Sequence, residues 1–238
     1  SNRTDHTLDF FVIDDVGKIQ ERPDFRIKLD NFEPYGFCLG SVFEDRLSVF
    51  VNFKNGLLQH FTIMHDYDGF KHQLEEEYKF DNQLEGMIVD DSSNILYVGE
   101  EQKGIYSISL DNRDSKPFLF ESSTDDNKYI RYDIEGLALL NDEYLIASTQ
   151  GNFSYAIFNR ESTKYLGSFK IMDGVFDAVE ETDGIEVIRD SLSAKYPEGI
   201  LVVQDGFNYN DNELVSQNFK YLDLGSISKF VDSLSTQK

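Results

Sequence analysis

A carboxylate or a phenol stands directly before a glycine at four places in this chain: Tyr35-Gly36, Glu85-Gly86, Glu135-Gly136 and Asp183-Gly184. The glycines fall at positions 36, 86, 136 and 184, in steps of 50, 50 and 48. Asp133 lies two residues before Glu135, so on an extended strand both side chains leave the same face. If repeated elements converge on one axis, these residues form a ring of oxygen donors. Like charges held so close raise one another's pKa unless a cation neutralises them. An all-oxygen donor set selects a hard ion, calcium before magnesium.

Other chemistries are less well served. Zinc asks for His or Cys, and the chain has four scattered histidines, no HExxH pattern and one cysteine, Cys38. That single cysteine also precludes an internal disulfide. There is no Walker loop, no GxGxxG fingerprint and no GxSxG elbow. Lys plus Arg is 22 and Asp plus Glu is 44, a net charge of −22. Nucleic acid and anionic membrane carry the same sign and are disfavoured as partners. No apolar run reaches the roughly 18 residues that would cross a membrane. A second recurring position holds Lys54, Glu100-Glu101, Gln150-Gly151-Asn152 and Gln204-Asp205-Gly206. Lys54 is one cation among many oxygens and can hold an anion shared with a metal.

These residues need elements that repeat with them. Each glycine phrase leads into an apolar stretch, and a second β-rich stretch follows at Leu47–Phe53, Ile95–Val98, Tyr144–Ala147 and Ile200–Val203. Third stretches lie at Leu57–Met64, Ile105–Leu110, Tyr155–Phe158 and Gln217–Leu222, with polar fourth ones at Glu75–Phe80 and Phe118–Glu121. Ile105–Leu110 alternates with period two, and turn residues such as Asp91-Ser92-Ser93-Asn94 separate the runs. Four short strands in about 50 residues is the size of a propeller blade. Leu8–Ile13 reads as one strand left from an earlier blade. A C-terminal helix is expected, capped by Ser226, with Ile227, Phe230, Val231 and Leu234 on one face. No linker divides residues 1–238, so one domain is expected.

With these residues in place the chain resembles the β-propeller phytases, calcium-dependent phosphatases of inositol hexakisphosphate. The match runs in order along nearly the whole sequence. It includes Ser1-Asn2-Arg3, Pro34-Tyr35-Gly36, Glu85-Gly86-Met87 with Asp90-Asp91, and Leu96-Tyr97-Val98-Gly99-Glu100-Glu101. Further on come Asp133-Ile134-Glu135-Gly136-Leu137, Ala147-Ser148-Thr149-Gln150-Gly151-Asn152, Thr182-Asp183-Gly184-Ile185, Val203-Gln204-Asp205-Gly206 and Gln217-Asn218-Phe219-Lys220.

The resemblance implies an all-β, six-bladed β-propeller with several calcium ions at the channel mouth. This chain would cover about four blades plus one strand, with a short C-terminal helix. By the same resemblance Tyr35, Glu85, Asp133, Glu135, Gln150 and Asp183 line the calcium and phosphate site. Tyr35, Glu85, Asp133 and Glu135 form its catalytic set. Arg3, Lys54, Glu101 and Gln150 would meet substrate phosphates. Asp177, Asp205 and Asn208 match a tighter calcium site, where Phe207 and Ala178 depart from the usual acidic residue and glycine. The implied activity is hydrolysis of phosphate monoesters of phytate, free or as its calcium salt, by water that calcium activates. Two other readings stay open: a calcium- and phosphate-binding incomplete propeller that assists a full phytase domain, and another calcium-dependent propeller hydrolase such as a lactonase. Family members carry about two further blades with an Asp-Asp-Pro motif that nothing here matches. The rest of its own propeller, or a second propeller domain, is therefore the expected protein partner. Export to the periplasm or medium is implied by the family alone.

Overall fold

Short runs of β-branched and aromatic residues, broken by turn residues, favour meandering antiparallel strands over helices. The computed structural model describes residues 1–29, 33–42, 46–67, 69–112, 114–210 and 213–235. Strands β1 (Thr7–Ile13) and β2 (Ile19–Lys28) form a two-stranded sheet. A second sheet follows from β3 (Pro34–Val42), β4 (Arg46–Phe53), β5 (Leu57–Asp66) and β6 (Gly69–Lys79). The third runs through β7 (Leu84–Asp90), β8 (Ile95–Glu100), β9 (Gly104–Ser109) and β10 (Phe118–Leu119). The fourth holds β11 (Ile134–Leu139), β12 (Tyr144–Thr149), β13 (Ser154–Asn159) and β14 (Tyr165–Phe169). In the fifth, β15 (Ile185–Ile188) and β16 (Ile200–Asp205) are followed by a hairpin, β17 (Tyr209–Asn210) with β18 (Glu213–Leu214), and then by β19 (Asn218–Asp223), which rejoins β16. Helix α1 (Leu224–Ser235) ends the described chain.

Among the described residues the architecture is a β-propeller of five blades with one short C-terminal helix. This corrects the expected four blades plus one strand. The strand read at Leu8–Ile13 has a partner: Thr7 pairs with Lys28 and Ile13 with Ile19, antiparallel. The partner segment Ile19–Lys28 contains five charged residues and Pro23, the composition of an edge strand, and so reads as a loop. The helix also differs in its cap. Asp223 Oδ2 accepts from the backbone N–H of Ser226 at 3.0 Å and from its hydroxyl at 2.8 Å. Asp223 is therefore the cap, and Ser226 lies within the first turn. The predicted apolar face is correct: Ile227 and Val231 are buried and Phe230 packs beside them.

The core lies between blades, not within one. Alternate residues of one strand serve two neighbours. In β4, Val49, Val51 and Phe53 pack with Leu8, Phe25 and Ile27 of the first blade, whereas Phe50 packs with Leu84, Leu96 and Val98 of the third. In β12, Leu145 and Ala147 meet Tyr97 and Ile105, whereas Ile146 faces Leu201 and Val203. This explains why the second strands are buried residue after residue and do not alternate apolar with exposed polar positions: both of their faces are covered.

Candidate metal and phosphate site

Three of the four repeat glycines, Gly36, Gly86 and Gly136, sit in bulges. Pairing of β3 with β4 runs Pro34↔Phe53 and resumes at Phe37↔Val51, so Tyr35 and Gly36 together oppose Asn52. The same step occurs between Leu84 and Met87 and between Ile134 and Leu137. A bulge re-aims the side chain it carries and bends the strand. The glycine adds a close approach. A Cβ on Gly36 would lie 2.7 Å from the Glu85 carbonyl oxygen, and one on Gly86 would lie 2.0 Å from that of Glu135. On Gly136 it would lie 3.0 Å from that of Asp183. Each glycine thus receives the backbone of the acidic residue one repeat later, which draws Tyr35, Glu85, Glu135 and Asp183 into a row. Gly184 meets no atom within 4 Å.

Buried polar side chains brace this row. Asn52 accepts from the Gly36 N–H at 2.8 Å and donates to the Glu85 carbonyl at 2.6 Å. Ser148, opposite the third bulge, donates to the Thr182 carbonyl, and the Asp183 N–H donates to Gln204 Oε1 at 2.8 Å. The Gln150 N–H donates to the Asp133 carbonyl at 2.9 Å, and Gln150 Nε2 donates to Asp183 Oδ1 at 2.8 Å.

Carboxylate oxygens of Glu85, Glu101 and Glu135 all lie within 4.8 Å of one another. Glu135 is 6% exposed. Burial, and then the charges of Glu85, Glu101, Asp183 and Asp133, push its carboxyl up to about 9. Burial and a hydrogen bond shared with Glu101 push Glu85 up to about 7, against hydrogen bonds from Gln83 and Tyr35. Burial also raises Asp183. Gln83 Nε2 donates to Glu85 Oε1 at 2.9 Å and to Glu101, tying the two carboxylates together. A divalent cation fits this donor set, since it would repay both the burial and the like-charge terms.

Two cations flank the row. The Arg3 guanidinium carbon lies 4.0 Å from the centre of the Tyr35 ring, and Lys54 Nζ lies 4.9 Å from it. Arg3 is set by the first turn, where Asn2 Oδ1 accepts from the N–H groups of Thr4 and Asp5. Lys54 stands in the tight turn that the Gly56 N–H closes on the Phe53 carbonyl. A cavity of about 610 Å³ opens along the inner strands, lined by Tyr35, Glu85, Asp183 and Glu186 among others.

The residues expected at the tighter calcium site are arranged differently. Asp177 and Asp205 both contact Lys220 Nζ, Asp205 at 2.6 Å, and the lysine is 5% exposed. One ammonium already occupies the space between both carboxylates, so the two aspartates as arranged do not fit a metal. Asn208 lies alongside, accepting from Asn218 and donating to the Ser216 carbonyl. Sequence reasoning missed Gln83, Asn52 and Lys220. Gln83 carried a signal: 133 − 83 is 50, so it stands at the Asp133 position of its own repeat.

The chain matches the Phytase family over residues 1–237. A 3-phytase of Bacillus subtilis (strain 168) is 33% identical over 248 residues, which take in 98% of this chain and 64% of that protein. The chain thus spans about two thirds of that relative's length, falling just short of it. Among solved structures, the WD40 β-propeller domain of Doa1 aligns with a TM-score of 0.45 at 10% identity, over 75% of this chain and 52% of that one. With its bulged repeat, its acidic row and a family match along almost its whole length, the chain belongs to the β-propeller phytase family.

Proposed function

We propose that this chain hydrolyses phosphate monoesters of inositol hexakisphosphate with calcium held at the inner-strand carboxylates. The observation that carries this reading is the cluster of Glu85, Glu101 and Glu135, with Arg3 and Lys54 flanking the adjacent Tyr35. Glu85, Glu101 and Glu135 would hold the ions, with Asp133, Asp183, Gln150 and Tyr35 beside them. When bound, calcium supplies positive charge to a phosphoryl group and makes water more acidic. Gln83 fixes the spacing of Glu85 and Glu101. Arg3 and Lys54 bind phosphate oxygens in a chain whose net charge of −22 otherwise repels a polyanion. Two side chains that could act as nucleophiles are poorly suited to it. Burial pushes the Cys38 thiol up, and His60 stacks on Phe50 and hydrogen-bonds Ser48. Calcium at Asp177, Asp205 and Asn208 would require Lys220 to move away. An exported location goes with the reading, as the family resemblance implies.

The test is phosphate release from inositol hexakisphosphate by this chain, with calcium and with EDTA. Release that requires calcium is the expected result. Release that persists in EDTA overturns the metal reading. Calcium binding without release identifies a binding module in place of an enzyme, and turnover of a lactone panel without phosphate release identifies a lactonase.

A further inference from the structure

Glu33 stands two residues before Tyr35, and the same offset gives Gln83, Asp133 and Glu181 in the later repeats, in steps of 50, 50 and 48. It is thus the first member of an outer ring whose second and third members touch or crowd the acidic row. Pro34 follows it and holds its backbone extended, so its side chain leaves toward the same end as Tyr35. There Glu33 Oε1 lies 3.6 Å from Lys54 Nζ and 3.9 Å from Arg3 Nε. One carboxylate is shared by the two cations that flank the Tyr35 ring. All three side chains are about half exposed, and neither distance is short enough for a hydrogen bond.

We propose that Glu33 sets the phosphate affinity of this site by acting as an internal anion on Arg3 and Lys54 that a substrate phosphate displaces. The proposal rests on the reading that these two cations bind substrate phosphate. A phosphate dianion carries more charge than one carboxylate and offers several oxygens to a guanidinium and an ammonium. Exposed pairs at these separations are weak enough to be exchanged. Glu33 therefore keeps the cations screened and correctly placed while the site is empty. It also taxes every anion that enters, so an anion of lower charge does not displace it.

The test titrates the full chain calorimetrically with inorganic phosphate at fixed calcium. Two exposed pairs of this kind imply that Glu33→Gln binds phosphate about three- to ten-fold more tightly than the parent chain. Loss of a residue that only places the two cations is expected to weaken binding, so a gain points to Glu33 as a competing anion. Glu161→Gln makes the same charge change in the turn between β13 and β14, at the other end of the blades, and is expected to leave the affinity unchanged. Glu33→Ala repeats the gain without an amide. Equal or weaker binding by both Glu33 variants overturns the proposal, as does an equal gain in Glu161→Gln. Arg3→Met and Lys54→Met separate the two levels. If they weaken phosphate binding while the Glu33 variants do not change it, the role of Glu33 fails and the phosphate reading stands. If they bind phosphate like the parent, the phosphate reading fails and the proposal falls with it.

Discussion

Glu135 is the most perturbed carboxylate described, and its pKa fixes the sign of a pH effect. It is raised from 4.5 to about 9, chiefly by burial and then by Glu85, Glu101, Asp183 and Asp133. Between those two values the folded chain keeps a proton that the unfolded chain has released, so stability falls as pH rises. Glu85, raised to about 7, adds to the lower half of the window. In EDTA the unfolding midpoint should therefore drop from pH 5 to pH 9, and calcium should remove most of that drop. Glu135→Gln should flatten the EDTA profile and weaken calcium binding by about ten-fold or more. A midpoint in EDTA that rises over this range would refute the burial argument. At this scale the row of Tyr35, Glu85, Glu135 and Asp183 is legible in the sequence, because a fixed period makes equivalent residues visible. Glu33 and Gln83 were equally reachable, since stepping back two residues finds them in every repeat and not at Asp133 alone. Lys220 was not, because its partners Asp177 and Asp205 come from distant segments that only the folded blade brings together.

At the level of elements, the bulged inner strands make a paired prediction. Gly86 receives the Glu135 carbonyl where a Cβ would sit only 2.0 Å away, and the obstacle is backbone that cannot rotate aside. Gly86→Ala should cost about 2–3 kcal/mol or more, read from urea unfolding, and should also loosen calcium binding by spreading the row. Gly184→Ala has open space around the new methyl and should cost under about 1 kcal/mol. Equal costs for the two would show that close approach of the inner strands is not what the repeat glycine provides. The blade period and most strands were legible from apolar runs and turn residues. What escaped were elements without a continuous buried run: in Ile19–Lys28 the buried Phe25 and Ile27 are set among charged residues. Ile19–Lys28 is charged and pairs along one edge, and the hairpin of Tyr209–Asn210 with Glu213–Leu214 is too short to show a period. The cap moved from Ser226 to Asp223 because both residue types cap well and only the backbone decides between them.

Over the whole molecule the inner strands touch in chain order, β3 to β7, β7 to β11 and β11 to β15, so cohesion is built one blade interface at a time. At the far end of the third and fourth blades that interface is ionic. Arg160 ion-pairs with Asp90, with both side chains more than nine-tenths buried. Its guanidinium also donates to the Asn141 carbonyl and to the Tyr97 hydroxyl, and Asp90 accepts from Ser92 and Ser93. Removing one partner of a buried pair leaves the other charge without compensation, at a cost of about 3–5 kcal/mol. Glu85 lies near the start of β7 and Asp90 ends it, five residues on, or roughly 17 Å along the strand. Arg160→Met should therefore lose most of that stability in urea while the folded variant keeps its calcium affinity. Such a result would place cohesion and chemistry at opposite ends of the same strands. If calcium affinity fell in step with stability, the two ends would be coupled through the blade, and the acidic row would owe its geometry to the latch as well as to its own glycines.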